Sequence, residues 1–480
     1  MSQFLARMTT VTAATTLFAT SAAAQAKPAG SAPQAAPQAA AQAARQAAAG
    51  SSKIVIDRSV LPNGLTLQLY ENHSAQVVSV SVWFDVGARD EVRGKTGFSH
   101  LFEHMMFQGS ANIKKAEHGQ LIERAGGSLN ANAQYDITRY YEQVPSNRVN
   151  LALWLEAERL RSLTVNPENL KNQIEAVKEE RRLRVDNQPY GKAIWESTLP
   201  LFDEAACFSY AHSLIGSMAD LEASSIADVK SFFDRYYAPN NAVLTIAGDF
   251  NPAEIKRLVN EYFGSIPRQP DLPRAACDQK FNTGFKRARV VDDKATLPAV
   301  MALYRVPATG HADTPALDLL NSILGAGESS RLNKVLARDT KMALGQQLYV
   351  NPFGPRRGPG FMLALAIANQ GVHPDSLEKR LSAEIAKVAT EGVTEAELTK
   401  AKNQYRAGKV NERQQSFAMT EAIQHATFYL GGPDAINTDL DRYANVTVAD
   451  IKRVAATYLI PVNSMIVTVE TEAKKGGPVP

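Results

Sequence analysis

The sequence predicts an α+β protein of two homologous domains, each a mainly antiparallel sheet packed with helices, related by internal duplication. The main observation is a repeat: SIADVKSFFDRYYAPNNAVLTI from Ser225 matches TVADIKRVAATYLIPVNSMIVTV from Thr447 at one constant offset, 447 − 225 = 222. Each copy has the pattern of a helix capped by Ser or Thr, a Pro-x-Asn turn and an alternating strand. The matched pairs are Asp228 and Asp450, Lys230 and Lys452, Tyr236 and Tyr458, Pro239 and Pro461, and Asn241 and Asn463.

The second observation is that each copy mixes strands with long helices. Residues 77–87 (VVSVSVWFDVG) and 361–369 (FMLALAIAN) alternate or run apolar, which predicts strands, whereas 150–163 (NLALWLEAERLRSL) predicts a helix. No strand is followed by the glycine pattern of nucleotide-binding α/β folds. We therefore expect an antiparallel-rich sheet with its helices on one face in each half.

Residues 1–24 have the features of an export signal peptide. A lone Arg7 precedes a run of small and apolar residues that ends in an A-x-A-like cleavage site near Ala24. The run is short and contains several threonines, and no later stretch approaches the ~18 apolar residues that a membrane-spanning helix needs. The prediction is an exported protein, periplasmic in a Gram-negative cell, without a membrane span.

The remaining chain divides by composition. Residues 25–52 consist almost wholly of Ala, Gln, Pro, Gly and Ser, which predicts a disordered tether. The two copies occupy 53–265 and 290–475. Between them, residues 266–289 are rich in proline and polar side chains, which is typical of a linker.

The overall composition is that of a soluble globular protein, with 45% hydrophobic and 21% charged residues. The net charge of +3 is small for 480 residues, and basic clusters such as 179–184 are isolated, so no nucleic-acid binding is expected. The two cysteines are Cys207 and Cys277. Export permits a disulfide between them, but a chain of this size does not need one, so their pairing stays open.

The stretch GFSHLFEHMMFQGS, residues 97–110, carries the most informative chemistry. On a helix, His100 and His104 lie one turn apart on the same face and can direct ring nitrogens at one zinc ion. Glu103 lies beside them and is suited to act as a general base toward a zinc-activated water. The alternative is a buried helix with two ordinary histidines, but the chain has only 8 histidines, and this spacing by accident is on the order of 1%.

A catalytic zinc needs a third protein ligand. We expect His118 to be exposed, because it follows a new helix start. The charged helix at 169–191 is a better source, and Glu175, Glu179 and Glu180 compete for the role. The residues alone do not choose among these three.

The H-x-x-E-H pattern resembles the inverzincin metallopeptidases of the pitrilysin, insulysin and mitochondrial processing peptidase group. The resemblance implies one Zn²⁺ per chain and a glutamate ligand in a later helix, three residues after an apolar position. Glu180 fits, since it follows Val177 by three residues and His104 by 180 − 104 = 76. Glu179 is the fallback, and Glu175 would lie at most beside the ligands.

The resemblance also extends to residues 126–145, GGSLNANAQYDITRYYEQVP. In the family this is a sheet edge to which an extended substrate peptide adds as a strand. The resemblance therefore implies that the backbone of Asn130, Ala131, Asn132 and Ala133 binds peptide substrates through main-chain hydrogen bonds. It implies a metalloendopeptidase that cleaves short or unfolded peptides.

One departure from the family pattern concerns its partners. Active sites of the family usually include an arginine and a tyrosine seven residues apart in the metal-free domain. Arg338 fits as a substrate-binding arginine, but 338 + 7 = 345 is Gly345, and Tyr349 comes four residues too late. The departure predicts a dimer with a metal-free homologous subunit that supplies the pair. Alternatively, Arg338 is a plain surface residue.

Two other functions remain as alternatives. The chain could be a non-catalytic scaffold of the same fold, or an exported zinc-binding protein without turnover. In the second copy the segment analogous to 97–110 is about 317–332, and it contains no histidine. We therefore expect only the first domain to hold a metal.

Overall fold

The computed structural model describes residues 53–274 and 276–472. The predicted signal peptide and tether, residues 1–52, lie outside the described residues. In the described part of the chain, eleven strands form two sheets. The α+β prediction of two similar sheet-and-helix halves is confirmed.

The first sheet has six strands in the order β1-β2-β6-β3-β5-β4. All neighbours are antiparallel except the parallel pair β2 and β6. Strand β4 therefore ends the sheet in the part of the chain that the structure describes, where it pairs with β5. The strands are β1 Asp57–Val60, β2 Thr66–Glu71, β3 Val77–Phe84, β4 Ser128–Ala133, β5 Thr138–Pro145 and β6 Ala242–Gly248.

Within the described residues, the second sheet repeats this topology without a counterpart of β1. Its order is β7-β11-β8-β10-β9, and the pair β7 and β11 is parallel, as β2 and β6 are. Strand β7 begins inside the predicted linker 266–289 and supplies the edge that β2 supplies in the first half. The strands are β7 Lys286–Asp292, β8 Ala299–Val306, β9 Ala343–Val350, β10 Gly360–Ala368 and β11 Ser464–Thr471.

The helices follow the same duplication. In the first half they are α1 Phe98–Met105, α2 Glu117–Arg124, α3 Val149–Ser162, α4 Pro167–Arg181, α5 Gly191–Trp195, α6 Met218–Glu222, α7 Ile226–Tyr236 and α8 Pro252–Phe263. In the second half they are α9 Thr314–Gly325, α10 Pro374–Glu391, α11 Glu395–Glu412, α12 Ser416–Tyr429, α13 Asp439–Ala444 and α14 Val448–Tyr458. Among the described residues, no helix is both long and apolar enough to cross a membrane.

Helices α7 and α14 show how the repeat in the sequence becomes a repeat in structure. Ser225 and Asp228 form a reciprocal capping box at the start of α7, and Thr447 and Asp450 form the same box at α14. Strands β6 and β11 then begin at equivalent positions, since 464 − 242 = 222. Local capping and turn chemistry thus determine both copies of this unit.

The first sheet is covered on both faces. Val78, Val80 and Val82 of β3 point into a core shared with the helices of the first half. On the opposite face, Trp83 packs against Phe428 of α12, with ring centroids 5.4 Å apart. The expectation of helices on one face is therefore incomplete, because a helix of the second half covers the other face.

The second sheet is covered in a reciprocal way by the first half. Arg305 of β8 is fully buried and its Nε donates to the carbonyl oxygen of Leu201, at 2.8 Å. Phe202 contacts Phe361 of β10 edge to face, with ring centroids 6.1 Å apart. Each half therefore shields apolar surface of the other, which ties the two copies together.

The open question of the cysteines is answered by a disulfide between Cys207 and Cys277. Cys207 is buried and precedes a short 3-10 turn, Phe208–Tyr210. Cys277 lies in the predicted linker between the two copies. The disulfide anchors a segment of the first half that, as described below, contacts the start of α1.

Candidate metal centre

Helix α1 presents two histidines on one face because its apolar residues fix its rotation. Leu101, Phe102 and Met105 are buried in the core of the first half. His100 and His104 lie one turn apart, with ring centroids separated by 4.9 Å. The rings therefore converge on one side of the helix.

A carboxylate from α4 meets both rings. Oε2 of Glu180 lies 3.1 Å from Nε2 of His104 and 3.4 Å from Nε2 of His100. One donor atom from each of these three residues lies within 4.8 Å of the others. Two imidazole nitrogens and one carboxylate oxygen form the donor set of a catalytic zinc site with an open position, so these residues fit zinc.

Neighbouring side chains stabilise the ionised form of Glu180. Its Oε1 pairs with Nη1 of Arg184, at 3.0 Å, in the π-helical turn Arg182–Asp186 after α4. Burial alone would raise the pKa of Glu180, but hydrogen bonds from His100 and His104 outweigh it and hold that pKa well below its usual value. The carboxylate is therefore ionised, as a metal ligand must be.

The rotation of α4 about its axis places the three candidate glutamates in different surroundings. Glu179 pairs with Arg182 and its side chain is 51% exposed, whereas Glu175 pairs with Lys178 and is 63% exposed. Glu180 is 17% exposed and faces the histidines. Since α4 packs on α1 along one face, only one of the three positions can point at His100 and His104.

Glu103 lies between the histidines and the end of the first sheet. Its Oε2 accepts a hydrogen bond of 2.6 Å from the backbone N–H of Ala133, the last residue of β4. Two residues earlier on the strand, the N–H of Ala131 donates to Oδ1 of its neighbour Asn130, at 2.8 Å. The N–H groups of Ala131 and Ala133 therefore point away from β5, along the outer edge of the sheet.

The four predicted substrate-binding residues, Asn130, Ala131, Asn132 and Ala133, all lie in this edge strand. Ala131 is opposite Tyr140 of β5, and Asn130 is opposite Tyr141. The structure thus brings the strand next to Glu103.

Arg338 is situated differently. It lies in the π-helical turn Asn333–Asp339, its side chain is 60% exposed, and its Nε pairs with Asp339 at 3.1 Å. Gly345 and Tyr349 lie on β9, where the Tyr349 hydroxyl contacts Gln347. The side chain of Arg338 therefore pairs within its own turn and not with the histidine cluster.

In the second half, helices α9 and α11 also meet through polar side chains. Oγ of Ser322 on α9 donates to Oε1 of Gln404 on α11, at 3.3 Å. Ser322 stands at the position equivalent to His100, since 322 − 100 = 222. The duplicated architecture therefore brings different chemistry together in its two copies.

The prediction that His118 is exposed was wrong. His118 is 4% exposed, and its Nε2 shares a hydrogen bond of 2.5 Å with Oε1 of Glu142 on β5. Helix α2 packs on the face of β4 and β5 that the other helices of the first half also cover. His118 therefore points into the core. A signal was present in the sequence, because Glu142 lies two residues from both Tyr140 and Val144 and therefore on the core face of the strand.

His118 and Glu142 belong to a buried ionic cluster that sequence reasoning missed. Arg159 of α3 donates through Nε to Oε2 of Glu156, at 3.0 Å, and its guanidinium lies 4.3 Å from the centroid of the Tyr140 ring. Burial raises the pKa of Glu142 to about 7 against the opposing charge of Arg159, and burial lowers the pKa of His118 to about 3. The donor atoms of His118, Glu142 and Glu156 also lie within 4.8 Å of one another.

We expect wild-type protein to lose stability relative to Glu142→Gln as pH rises from 4.5 to about 7. In this window the folded state retains a proton on Glu142 that the unfolded chain releases, so ionisation favours unfolding. The free energy of unfolding of the wild type minus that of Glu142→Gln should change by roughly 1–3 kcal/mol between about pH 5 and about pH 8. Both values are measured by urea denaturation.

The control for this measurement is Glu261→Gln, which changes an exposed glutamate of α8 paired with Arg257. The lowered pKa of His118 contributes stability that is lost as pH falls from 6.5 toward 3. His118 is present in both chains, so the comparison isolates Glu142. A stability difference that stays constant with pH would contradict the assignment of a buried proton to Glu142.

Comparison with known proteins identifies two family models along the chain. The model described as "Insulinase (Peptidase family M16)" matches residues 67–198. The model described as "Peptidase M16 inactive domain" matches residues 224–405. The first match contains the histidine cluster, and the second covers most of the second half.

Similar full-length proteins support the same assignment. The chain is 30% identical over 403 residues to "Zinc protease PqqE" of Helicobacter pylori, covering 83% of this chain and 89% of that protein. It is 28% identical over 405 residues to "Uncharacterized zinc protease Rv2782c" of Mycobacterium tuberculosis, with coverages of 83% and 89%.

Solved structures share the fold. The crystal structure of a protease from Helicobacter pylori matches with a TM-score of 0.82 and 27% identity, over 87% of this chain and 100% of that chain. A peptidase M16 inactive domain from Pseudomonas fluorescens matches with a TM-score of 0.75 and 18% identity, over 89% and 100%. The second likeness concerns the fold alone.

Proposed function

The chain belongs to the insulinase family, peptidase family M16, and on this premise we propose that it is a zinc-dependent metalloendopeptidase acting on short or unfolded peptides. The observation that carries the proposal is the convergence of His100, His104 and Glu180 beside Glu103 and an open strand edge. His100, His104 and Glu180 would hold one Zn²⁺. The zinc proteases named among the relatives support this choice of metal.

The chemistry divides between the metal and Glu103. Zinc, when bound, supplies Lewis acidity that polarises a peptide carbonyl and lowers the pKa of water. Glu103 accepts the proton of the attacking water and passes it to the nitrogen of the leaving amine. In the structure its carboxylate is oriented by the N–H of Ala133, so the base and the strand edge are aligned by one hydrogen bond.

The edge strand β4 supplies the means of binding substrate. The N–H of Ala131 is bonded to Oδ1 of Asn130, and the carbonyl group of an added peptide strand would replace that acceptor. The N–H of Ala133 stays bonded to Glu103. Such binding uses main-chain groups and is tolerant of sequence. It requires an extended peptide, which favours short or unfolded substrates over folded proteins.

We expect Glu103→Gln to keep zinc but to lower kcat by about 10²–10⁴, because the variant lacks the general base. Glu180→Gln should instead weaken zinc binding, since a charged ligand is replaced by a neutral amide. Zinc content is measured by atomic absorption and turnover with an internally quenched peptide.

The matched control is Glu179→Gln, which changes the neighbouring, exposed glutamate of the same helix. It should leave both zinc content and kcat as in the wild type. Normal turnover by Glu103→Gln would show that Glu103 is not the base, and full zinc content in Glu180→Gln would exclude Glu180 as a ligand.

We expect Ala131→Pro to raise KM for extended peptides several-fold while leaving zinc content unchanged. Proline removes the N–H at position 131, and an edge strand tolerates it where that N–H faces outward. The control Ala131→Ser retains the N–H and a small side chain, and should bind peptides as the wild type does. Equal KM values for the two variants would contradict substrate binding at this edge.

We propose that the active enzyme is a dimer with a metal-free homologous subunit. Arg338 pairs with Asp339, and Gly345 occupies the position where the family pattern has a tyrosine, so the pair would come from the partner. Co-purification with such a homologue should raise kcat at least tenfold over the chain alone, because substrate positioning and charge stabilisation are then complete. Full activity of the chain alone would contradict this proposal.

We also propose that the protein is exported and periplasmic. The Cys207–Cys277 disulfide supports an oxidising compartment. A protein of the same fold is described as the periplasmic protease PqqL of Escherichia coli, at 17% identity and a TM-score of 0.70 over 86% of this chain and 47% of that one. Cell fractionation tests the location, and a cytoplasmic protein would contradict it.

One observation favours a non-catalytic scaffold as a second candidate. The structure from Pseudomonas fluorescens and the family model over residues 224–405 are both described as inactive domains. A scaffold would bind extended peptides at β4 without cleaving them. Peptide binding by the zinc-loaded dimer without hydrolysis of any quenched peptide would favour the scaffold.

A further inference from the structure

Helix α1 begins without a cap of its own. Its N-cap is Gly97, which has a left-handed backbone with φ of +89° and no side chain to bond the first-turn N–H groups. His100 lies in this first turn, only three residues after Gly97. Fraying of one turn would therefore release a metal-binding side chain.

Glu91 supplies the missing cap from six residues upstream. Its Oε2 accepts the N–H of Gly97 and its Oε1 accepts the N–H of Ser99, both at 2.8 Å. The Glu91 side chain is fully buried. A buried carboxylate at a helix N-terminus also interacts favourably with the helix dipole. Glu91 thus determines where α1 starts.

A second chain segment, residues 207–220, holds Glu91 in place, and we call it the bracing segment. Nε2 of His212 donates to Oε2 of Glu91 at 3.2 Å, and Nδ1 of His212 donates to the carbonyl oxygen of Phe208 at 2.7 Å. Because both ring nitrogens face acceptors, the ring is a charged partner for Glu91. The Cys207–Cys277 disulfide anchors the beginning of the bracing segment.

The bracing segment also contacts the backbone at the start of α1. A Cβ atom added to Gly216 would lie 2.2 Å from Cα of Gly97, so the two glycines pack directly against each other. Oγ1 of Thr96 donates to Oδ2 of Asp220 at 2.6 Å. This close approach explains why residue 97 is a glycine and why its cap comes from elsewhere in the chain.

The same segment reaches the end of the edge strand. The Tyr135 hydroxyl donates to the carbonyl oxygen of His212 at 2.9 Å, and the Tyr210 hydroxyl donates to Oδ1 of Asp136 at 2.6 Å. Tyr135 and Asp136 follow β4 directly, two and three residues after Ala133. The bracing segment therefore connects the helix that carries Glu103 to the strand that orients it.

We propose that Glu91 is a positioning residue for the metal centre, which fixes the first turn of α1 and so the directions of His100, Glu103 and His104, with His212 holding Glu91. The proposal rests on the proposed zinc site. Glu91 bonds to backbone N–H groups at the start of α1 and to His212, so it acts through the helix. Its effect should appear in zinc affinity and kcat rather than in KM.

The test uses Glu91→Gln, which keeps the size of the side chain but replaces one accepting oxygen with an amide donor. We expect zinc affinity, measured by competition with a chromogenic chelator, to fall about 10–100-fold, as for other groups that orient metal ligands. The kcat of the dimer should fall by a similar factor, with KM within about twofold of the wild type. The visible spectrum of the Co²⁺-loaded chain should also change, because ligand geometry changes.

Two controls separate positioning from general stability. Val259→Ala removes buried volume from α8, far along the chain from the metal centre, and should lower Tm while leaving zinc affinity and the Co²⁺ spectrum unchanged. Glu261→Gln should change none of these quantities. If Glu91→Gln lowers Tm as Val259→Ala does but leaves zinc affinity, kcat and the Co²⁺ spectrum unaltered, the proposal is overturned.

A second variant keeps the proposal testable if Glu91→Gln does not fold. His212→Gln leaves the Glu91 cap intact but removes its charged partner, and zinc affinity should fall by a smaller factor of about 3–10. Unchanged zinc affinity and spectrum in this variant would overturn the proposal. If the wild type binds zinc but cleaves no peptide, the proposed function fails, and the zinc affinity of Glu91→Gln still decides the role of Glu91.

Discussion

The contact between Glu180 and the two histidines of α1 is the constraint on which the first half is organised. This contact requires α4 to pack on α1 with the face that carries Glu180. Glu179 and Glu175 then lie on the exposed side of α4. Because a carboxylate and two imidazoles must meet within a few ångströms, the first turn of α1 cannot shift along its axis. The cap supplied by Glu91 meets that requirement at the N-terminus of the same helix.

Among the described residues, the clusters of histidine and carboxylate that could hold a metal lie in the first of the two copies. The second half preserves strand order, the parallel edge pair and the helix cap at α14, whereas Ser322 stands at the repeat position of His100. The second half still has a structural function. Its α12 covers the outer face of the first sheet, and Phe428 packs against Trp83. The fold of the second half therefore does not depend on a histidine cluster.

Much of the site could be read from the sequence because its chemistry is local. The spacing of His100, Glu103 and His104 corresponds to one helical turn, whereas the edge position of β4 was implied by the family resemblance. The buried cluster of His118, Glu142 and Arg159 could not be read in this way, because its members come from three elements. The alternation of β5 puts Glu142 on the core face, but its meeting with His118 and Arg159 depends on how α2 and α3 pack on β5, which no local pattern specifies.

The sequence by itself determined the α+β class, the duplication and the positions of the H-x-x-E-H residues, since caps, turns and periodicity act over a few neighbours. Only the tertiary structure decided which glutamate of α4 faces the histidines, that Cys207 bonds to Cys277, and that Glu91 caps α1. These contacts join residues that are distant in sequence or depend on the rotation of one helix against another. They form only when the core packs, because the burial of apolar side chains sets the rotation of each helix about its axis and brings distant chain segments together.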